Sequence, residues 1–185
     1  MIYILQYQGT SLISRTIKAI TWGRFSHSAI GNSDGWIVEA WEGSGVDHVP
    51  SPWRNHKSRT PISVYGLDTT PEIMKSIWTA AMEEVRNQYD YLSLLGFLPG
   101  LRALWKDDEY KWFCSHLVAH ACKAGGAPLF SPVAPLYKIS PSLIPYSPKL
   151  TWLYNMKTDL EWEVFLSQQR ERCREQKSSN TNTTA

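Results

Sequence analysis

A thiol, an imidazole and a carboxylate lie at places in this 185-residue chain where they could act together. Cys114 opens the stretch Trp112-Phe113-Cys114-Ser115-His116-Leu117-Val118-Ala119-His120-Ala121-Cys122. Leu117, Val118 and Ala121 follow Cys114 at offsets of one helical face, and Gly125-Gly126 with Pro128 stop the helix. A thiol in a first helical turn meets unpaired backbone N–H groups and the helix dipole, which favour a thiolate. Taken alone, the stretch suits a buried structural cysteine better, because free cysteine is among the most buried residue types. Cysteine catalysis also needs an imidazole to take the thiol proton and a group to orient that imidazole. His27 stands at the start of an expected strand, Ser26-His27-Ser28-Ala29-Ile30. Glu39 stands on the returning strand, Trp36-Ile37-Val38-Glu39-Ala40-Trp41, after the turn Gly31-Asn32-Ser33-Asp34-Gly35. If Ile30 faces Trp36, His27 lies directly opposite Glu39, with Cβ atoms about 5 Å apart on one face. A slip of one residue would separate them.

The remaining histidines and cysteines point elsewhere. His116 and His120 share a helical face, but no glutamate follows the first of them as in zinc peptidases. Cys114 and Cys122 lack metal-finger spacing and, about 12 Å apart by helical rise, cannot form a disulfide. The expectation is therefore no metal and no cofactor. His48 and His56 fall in polar segments and read as surface histidines, and Asp90 as a local cap. With three cysteines and no pairing, this is no disulfide scaffold, and a reducing compartment is the default.

These residues need elements to position them. Residues 2–7 read as a strand. Ser11 then caps a short helix with Leu12, Ile13, Ile17 and Ile20 on its apolar side and Arg15 and Lys18 outward. A short strand is expected before Pro50, a loop over 51–61, and a strand over 62–65. A helix should run from Thr70-Pro71-Glu72 to about Asn87. An apolar stretch broken by Pro99-Gly100 leads to the solvated loop Lys106-Asp107-Asp108-Glu109. Residues 127–150 are rich in Pro and Ser, with one short strand expected near Tyr137-Lys138-Ile139. The expected organisation is a domain over 1–150, a C-terminal helical extension over 151–177 and a polar tail over 178–185.

Composition excludes several classes. Hydrophobic content of 43% is globular, and nine Trp with nine Tyr indicate an aromatic core or groove. A net charge of +2 with no basic stripe argues against nucleic acid. No apolar run approaches a membrane span. Met1-Ile2-Tyr3-Ile4-Leu5 lacks the basic flank of a secretory signal, so the expected location is the cytoplasm as synthesised.

In this order the residues resemble a known family, the permuted papain-like relatives of NlpC-type cysteine hydrolases, often called YiiX/YaeF-like. The resemblance runs through Phe25-Ser26-His27-Ser28-Ala29-Ile30, Val38-Glu39-Ala40-Trp41-Glu42-Gly43, Tyr89-Asp90, Cys114-Ser115-His116-Leu117-Val118 and Ile139-Ser140-Pro141-Ser142-Leu143. It implies an α+β, papain-like fold, an antiparallel sheet packed on the cysteine helix. It further implies Cys114 as nucleophile, His27 as general base and acid, and Glu39 as the group orienting His27. An oxyanion hole would come from the helix N-terminus around Ser115, with the Tyr89 hydroxyl. The implied activity is that of a cysteine amidase or endopeptidase on peptide substrates, foremost peptidoglycan stem peptides. Related members act on lipid acyl groups, which is the alternative chemistry. The resemblance to phage and prophage members implies phage structural proteins as partners and delivery in a tail or similar particle. A structural or adaptor module with a decayed site is the reading from a different class. The chain departs from the family at His116, where a glutamate is usual.

Overall fold

Every residue of the first strand, β1 (Ile2–Tyr7), is buried, and the sheet is built outward from it. The structure is a computed structural model that describes residues 1–98, 100–104, 110–131 and 133–182. After β1 come α1 (Leu12–Ile20), β2 (His27–Asn32), β3 (Ile37–Trp41), β4 (Gly45–Val49) and β5 (Ile62–Leu67). Then follow α2 (Pro71–Glu83), β6 (Gln88–Tyr89), α3 (Tyr91–Leu95), β7 (Lys111–Trp112), α4 (Cys114–Ala124), β8 (Leu150–Met156) and α5 (Asp159–Asn182). Six strands form an antiparallel sheet in the order β4-β3-β2-β1-β5-β8, while β6 and β7 pair in parallel.

The centre of the sheet is covered on both faces, so β1 is apolar throughout rather than alternating. Ile2 and Ile4 join Ile30, Val38 and Tyr65 in a core shared with α2 and α4. Tyr3, Leu5 and Tyr7 join Ala29, Ile37 and Val64 against Trp162, Phe165 and Leu166 of α5. The α2 and α4 helices pack closely enough that a Cβ on Gly125 would lie 2.5 Å from the Ile77 backbone nitrogen.

The C-terminal segment is part of this fold, which corrects the expected boundary at residue 150. Strand β8 adds to the sheet edge through Ile62↔Met156 and Leu67↔Leu150, and α5 seals the second face. The helix also continues to Asn182, beyond the expected end at 177 and into the expected tail. Trp162→Ala is accordingly expected to cost about 3–5 kcal/mol of folding stability, as burying a large aromatic usually contributes. Urea unfolding monitored by circular dichroism measures it, whereas a detachable extension would lose almost nothing.

Other differences from expectation have local causes. Helix α2 stops at Glu83 instead of Asn87 because the chain turns to bond β4, with Arg86 N–H to Val46 O at 2.9 Å and Val46 N–H to Asn87 O at 2.9 Å. The segment near Tyr137 is a 3₁₀ turn, Leu136–Lys138, not a strand. Ser11 caps α1 as expected, its Oγ accepting from Ser14 N–H, but only Ile17 of that helix is buried and Leu12 is exposed. The expected loop at Lys106-Asp107-Asp108-Glu109 lies outside the described residues.

Candidate active site

The β2–β3 hairpin sets the first two site residues. Its turn is three residues long. Asn32 N–H bonds Trp36 O at 3.0 Å, the Asn32 side chain accepts from Asp34 and Trp36 N–H, and Gly35 takes φ +97°. The register is Ile30↔Val38 and Gly31↔Ile37. Followed along the strands, it sets His27 across from Trp41, two residues away from the expected alignment with Glu39. An even shift keeps each side chain on its own face, so His27 and Glu39 become diagonal neighbours. His27 Nε2 lies 2.7 Å from Glu39 Oε2.

Glu39 is fully buried and carries more partners than the sequence indicated. His56 Nε2 reaches the same Oε2 at 2.8 Å, and Asn55 Nδ2 donates to Oε1 at 3.1 Å and to Asp47 Oδ2 at 3.2 Å. His56 is thus no surface histidine, for its side chain is only 5% exposed. The loop that carries it is pinned by buried Trp53, whose Nε1 donates to Thr60 O at 2.9 Å. The His56 ring stacks on Tyr7 with centroids 4.0 Å apart, and Trp41 stands edge-on to both imidazoles. Burial alone would raise the Glu39 pKa, but hydrogen bonds and charge from the two imidazoles outweigh it and pull it down to about 2. Burial lowers the His27 pKa, with Glu39 opposing, so the imidazole is neutral near pH 7. An ionised carboxylate has no proton to give, so Nε2–H of His27 donates to it and Nδ1 keeps its lone pair.

Cys114 opens α4, and no side chain caps that helix. The backbone N–H groups of Ser28, Ser115 and Cys114 itself lie close enough to Sγ to favour its ionised form. The Ser28 amide belongs to the peptide joining it to His27, so the thiol sits one peptide unit from the His27 Cα. Burial nevertheless pushes the thiol pKa up to about 12, against these amides, and the resting group is a neutral thiol. Tyr89 is buried beside Cys114; burial and that neighbour raise its hydroxyl well above the ordinary value, so it remains a donor. Ser115 does not present its hydroxyl to the site. Its Oγ donates to Ile139 O at 2.6 Å, leaving only its backbone amide there.

The remaining sequence candidates are dispersed. His116 is buried against Trp112 and Phe113, and His120 pairs with Glu84 at 3.3 Å. Asp90 is a cap, its Oδ1 accepting from Ser93 N–H at 2.9 Å. Cys122 packs in the core. Among the described residues, one group has donor atoms close enough for a metal ion: His27, Glu39 and His56, within 4.8 Å of one another. Sequence reasoning missed His56 and Asn55. A buried tryptophan inside a polar loop is the signal that would have pointed to them.

A small cavity of about 30 Å³, lined by Ile13, Ile17, His27, Trp41, His56 and Tyr89, has room for a water or two. A groove of about 560 Å³ adjoins it through Glu42 and Tyr89 and runs over Gly45, Gln88, Tyr91 and Leu92.

Comparison with known proteins gives a fold likeness. No family model matches the chain, and no curated protein matches it. Among solved structures, it is similar to the crystal structure of a protein described as metalloprotein YiiX from Escherichia coli O157:H7, DUF1105. The TM-score is 0.64 at 17% identity, over 83% of this chain and 96% of that one. The chain therefore has a YiiX-like α+β fold. No helix among the described residues is long and apolar enough to cross a membrane.

Proposed function

We propose that this protein is a cysteine hydrolase of the permuted papain-like, NlpC-related kind, cleaving an amide through an acyl-enzyme. The observation that carries the reading is the linkage at Ser28. One peptide unit joins His27, oriented by buried Glu39, to the Ser28 amide that lies near Cys114 Sγ at a helix start and favours its thiolate.

The chemistry follows from the proton positions. The Cys114 thiol passes its proton to His27 Nδ1 as Sγ attacks the substrate carbonyl carbon. The imidazolium so formed is stabilised by Glu39 through Nε2–H. The oxyanion accepts hydrogen bonds from amides at the start of α4 and from the Tyr89 hydroxyl. His27 Nδ1–H then protonates the departing amine as the C–N bond breaks, leaving a thioester on Cys114. Water, deprotonated by His27, hydrolyses it and restores the thiol.

Peptidoglycan stem peptides are the leading substrate, and the half-open groove beside Glu42 and Tyr89 is where a peptide would lie. Delivery in a phage tail or similar particle would bring such an enzyme to the wall. Incubation with muropeptides and, separately, with acyl lipids, followed by mass spectrometry, tests the reading. Amide cleavage products from muropeptides are expected. Products from the lipids alone would move the protein to acyl-lipid chemistry.

A second reading has its own observation, the His27–Glu39–His56 cluster. Two imidazoles and a carboxylate are a donor set suited to zinc. Tetrahedral bonds of about 2.0–2.2 Å set ligand atoms roughly 3.4 Å apart, so the widest pair, now within 4.8 Å, would close by roughly 1.4 Å on loading. The residues thus fit the metal implied by the neighbour's description as a metalloprotein. An ion held there would supply Lewis acidity and an acidified water.

A further inference from the structure

The two readings share His27 and Glu39, and the sharing has a consequence. We propose that His27, Glu39 and His56 form a regulatory site for a zinc-class divalent cation, and that its occupancy switches Cys114 off by changing which nitrogen of His27 holds the proton. The role given to His27 rests on the hydrolase reading.

The first argument is redundancy. Orienting a catalytic imidazole takes one acceptor, and Glu39 Oε2 supplies it to His27 at 2.7 Å. His56 puts a second imidazole on that same oxygen at 2.8 Å, from a separate loop and almost wholly buried. Two N–H donors converging on one buried oxygen, with the other oxygen fixed by Asn55, make a preformed two-nitrogen, one-oxygen cradle. The Tyr7 hydroxyl is a further buried polar group beside the two imidazoles that a bound ion's water could satisfy. Tyr7 is fully buried, its ring lies 4.0 Å from His56 and 5.2 Å from His27, and its hydroxyl has no hydrogen-bond partner among the described residues. Buried hydroxyls nearly always have one, and a water carried by an ion is a partner of the right kind.

The second argument is proton position. Without metal, Nε2–H faces Glu39 and the Nδ1 lone pair is free to take the thiol proton. A cation takes the lone pair of Nε2, the atom aimed at the cluster, and a neutral imidazole must then carry its proton on Nδ1. That nitrogen can no longer accept from Cys114. No net proton is gained or lost, because one N–H is exchanged for the other on the same ring. Metal loading and thiol activation therefore exclude each other, and His56, which shares Glu39 with His27 in the metal-free state, becomes the second nitrogen ligand in the loaded one.

The test uses the full chain after chelator treatment, with Zn²⁺ as the probe. Calorimetry is expected to show one strong site that persists in Cys114→Ala and weakens at least about tenfold in His56→Ala. Peptide-resolved mass spectrometry follows iodoacetamide labelling of Cys114. Saturating Zn²⁺ is expected to slow that labelling at least about tenfold, chelator to restore it, and His56→Ala to be insensitive. His56→Gln, which keeps an N–H donor for Glu39, gives the same result if the alanine variant folds poorly. Three outcomes overturn the proposal: no strong zinc site, zinc binding that Cys114→Ala abolishes, or bound zinc that leaves labelling unchanged. None of these readouts needs a substrate. Failure of the hydrolase reading shows separately, as turnover that survives in Cys114→Ala.

Discussion

Cys114→Ala is expected to lower amide hydrolysis by about ten-thousandfold or more, the range seen when a covalent nucleophile is removed. The fold should be nearly unaffected, within about 1 kcal/mol, because the change removes one sulfur atom from a buried position. Turnover and urea stability measured on the same samples separate the two effects. Full activity in the variant would exclude an acyl-enzyme at this residue. The pH profile of the wild type adds a finer check. In many cysteine enzymes the resting state is a thiolate–imidazolium pair. Here the thiol is pushed up to about 12 and His27 down, so the resting pair is neutral. The rate should then fall as acid protonates His27, with a midpoint below the ordinary 6.5, and no thiolate should be detectable at neutral pH.

The parts of this arrangement that were legible in the sequence are those set by local rules. The strand at β1, the Ser11 and Thr70 caps and the glycine-terminated cysteine helix all follow from short-range chemistry. His27 and Glu39 shared a face under the wrong register as well as the right one, because the error was even. Strand β8 was not legible. Leu150-Thr151-Trp152-Leu153-Tyr154-Asn155-Met156 lies at the sheet edge, with only Met156 buried, so its burial gives no clean alternation. It also follows a Pro-rich segment that reads as loop.

His56 illustrates a different limit. Within residues 51–61 only Trp53 hints that the loop folds over the sheet, and it does not say where. That placement depends on Trp53 entering the second core and on the stacking surface of Tyr7, contacts far apart in sequence. The same loop turned a plain triad expectation into a network of two imidazoles, an amide and two carboxylates. A carboxylate serving three donors is the point where catalysis, metal affinity and stability meet.

Glu39 is therefore where a single substitution should cost most. Glu39→Ala removes the acceptor of His27, His56 and Asn55 at once and leaves buried donors unpaired, an expected loss of about 3–5 kcal/mol. Glu39→Gln is milder in shape but turns one N–H toward another. By analogy with removing the orienting carboxylate of a triad, turnover in that variant should fall about ten-thousandfold, through the wrong imidazole tautomer. Acid stability gives the independent measure. Folding lowers the Glu39 pKa from an ordinary 4.5 to about 2, so between those values the unfolded chain binds more protons. The contribution is complete above about pH 4.5 and is lost as pH falls toward 2, amounting to about 3 kcal/mol. His27, also lowered on folding, adds a loss that starts nearer 6.5. Urea midpoints measured from pH 7 down to 2 should thus show two successive declines in the wild type. In Glu39→Gln the lower decline should be shallower. An unchanged slope below pH 4.5 would mean that Glu39 does not hold its charge in the folded protein, and with it would go the tautomer on which His27 depends.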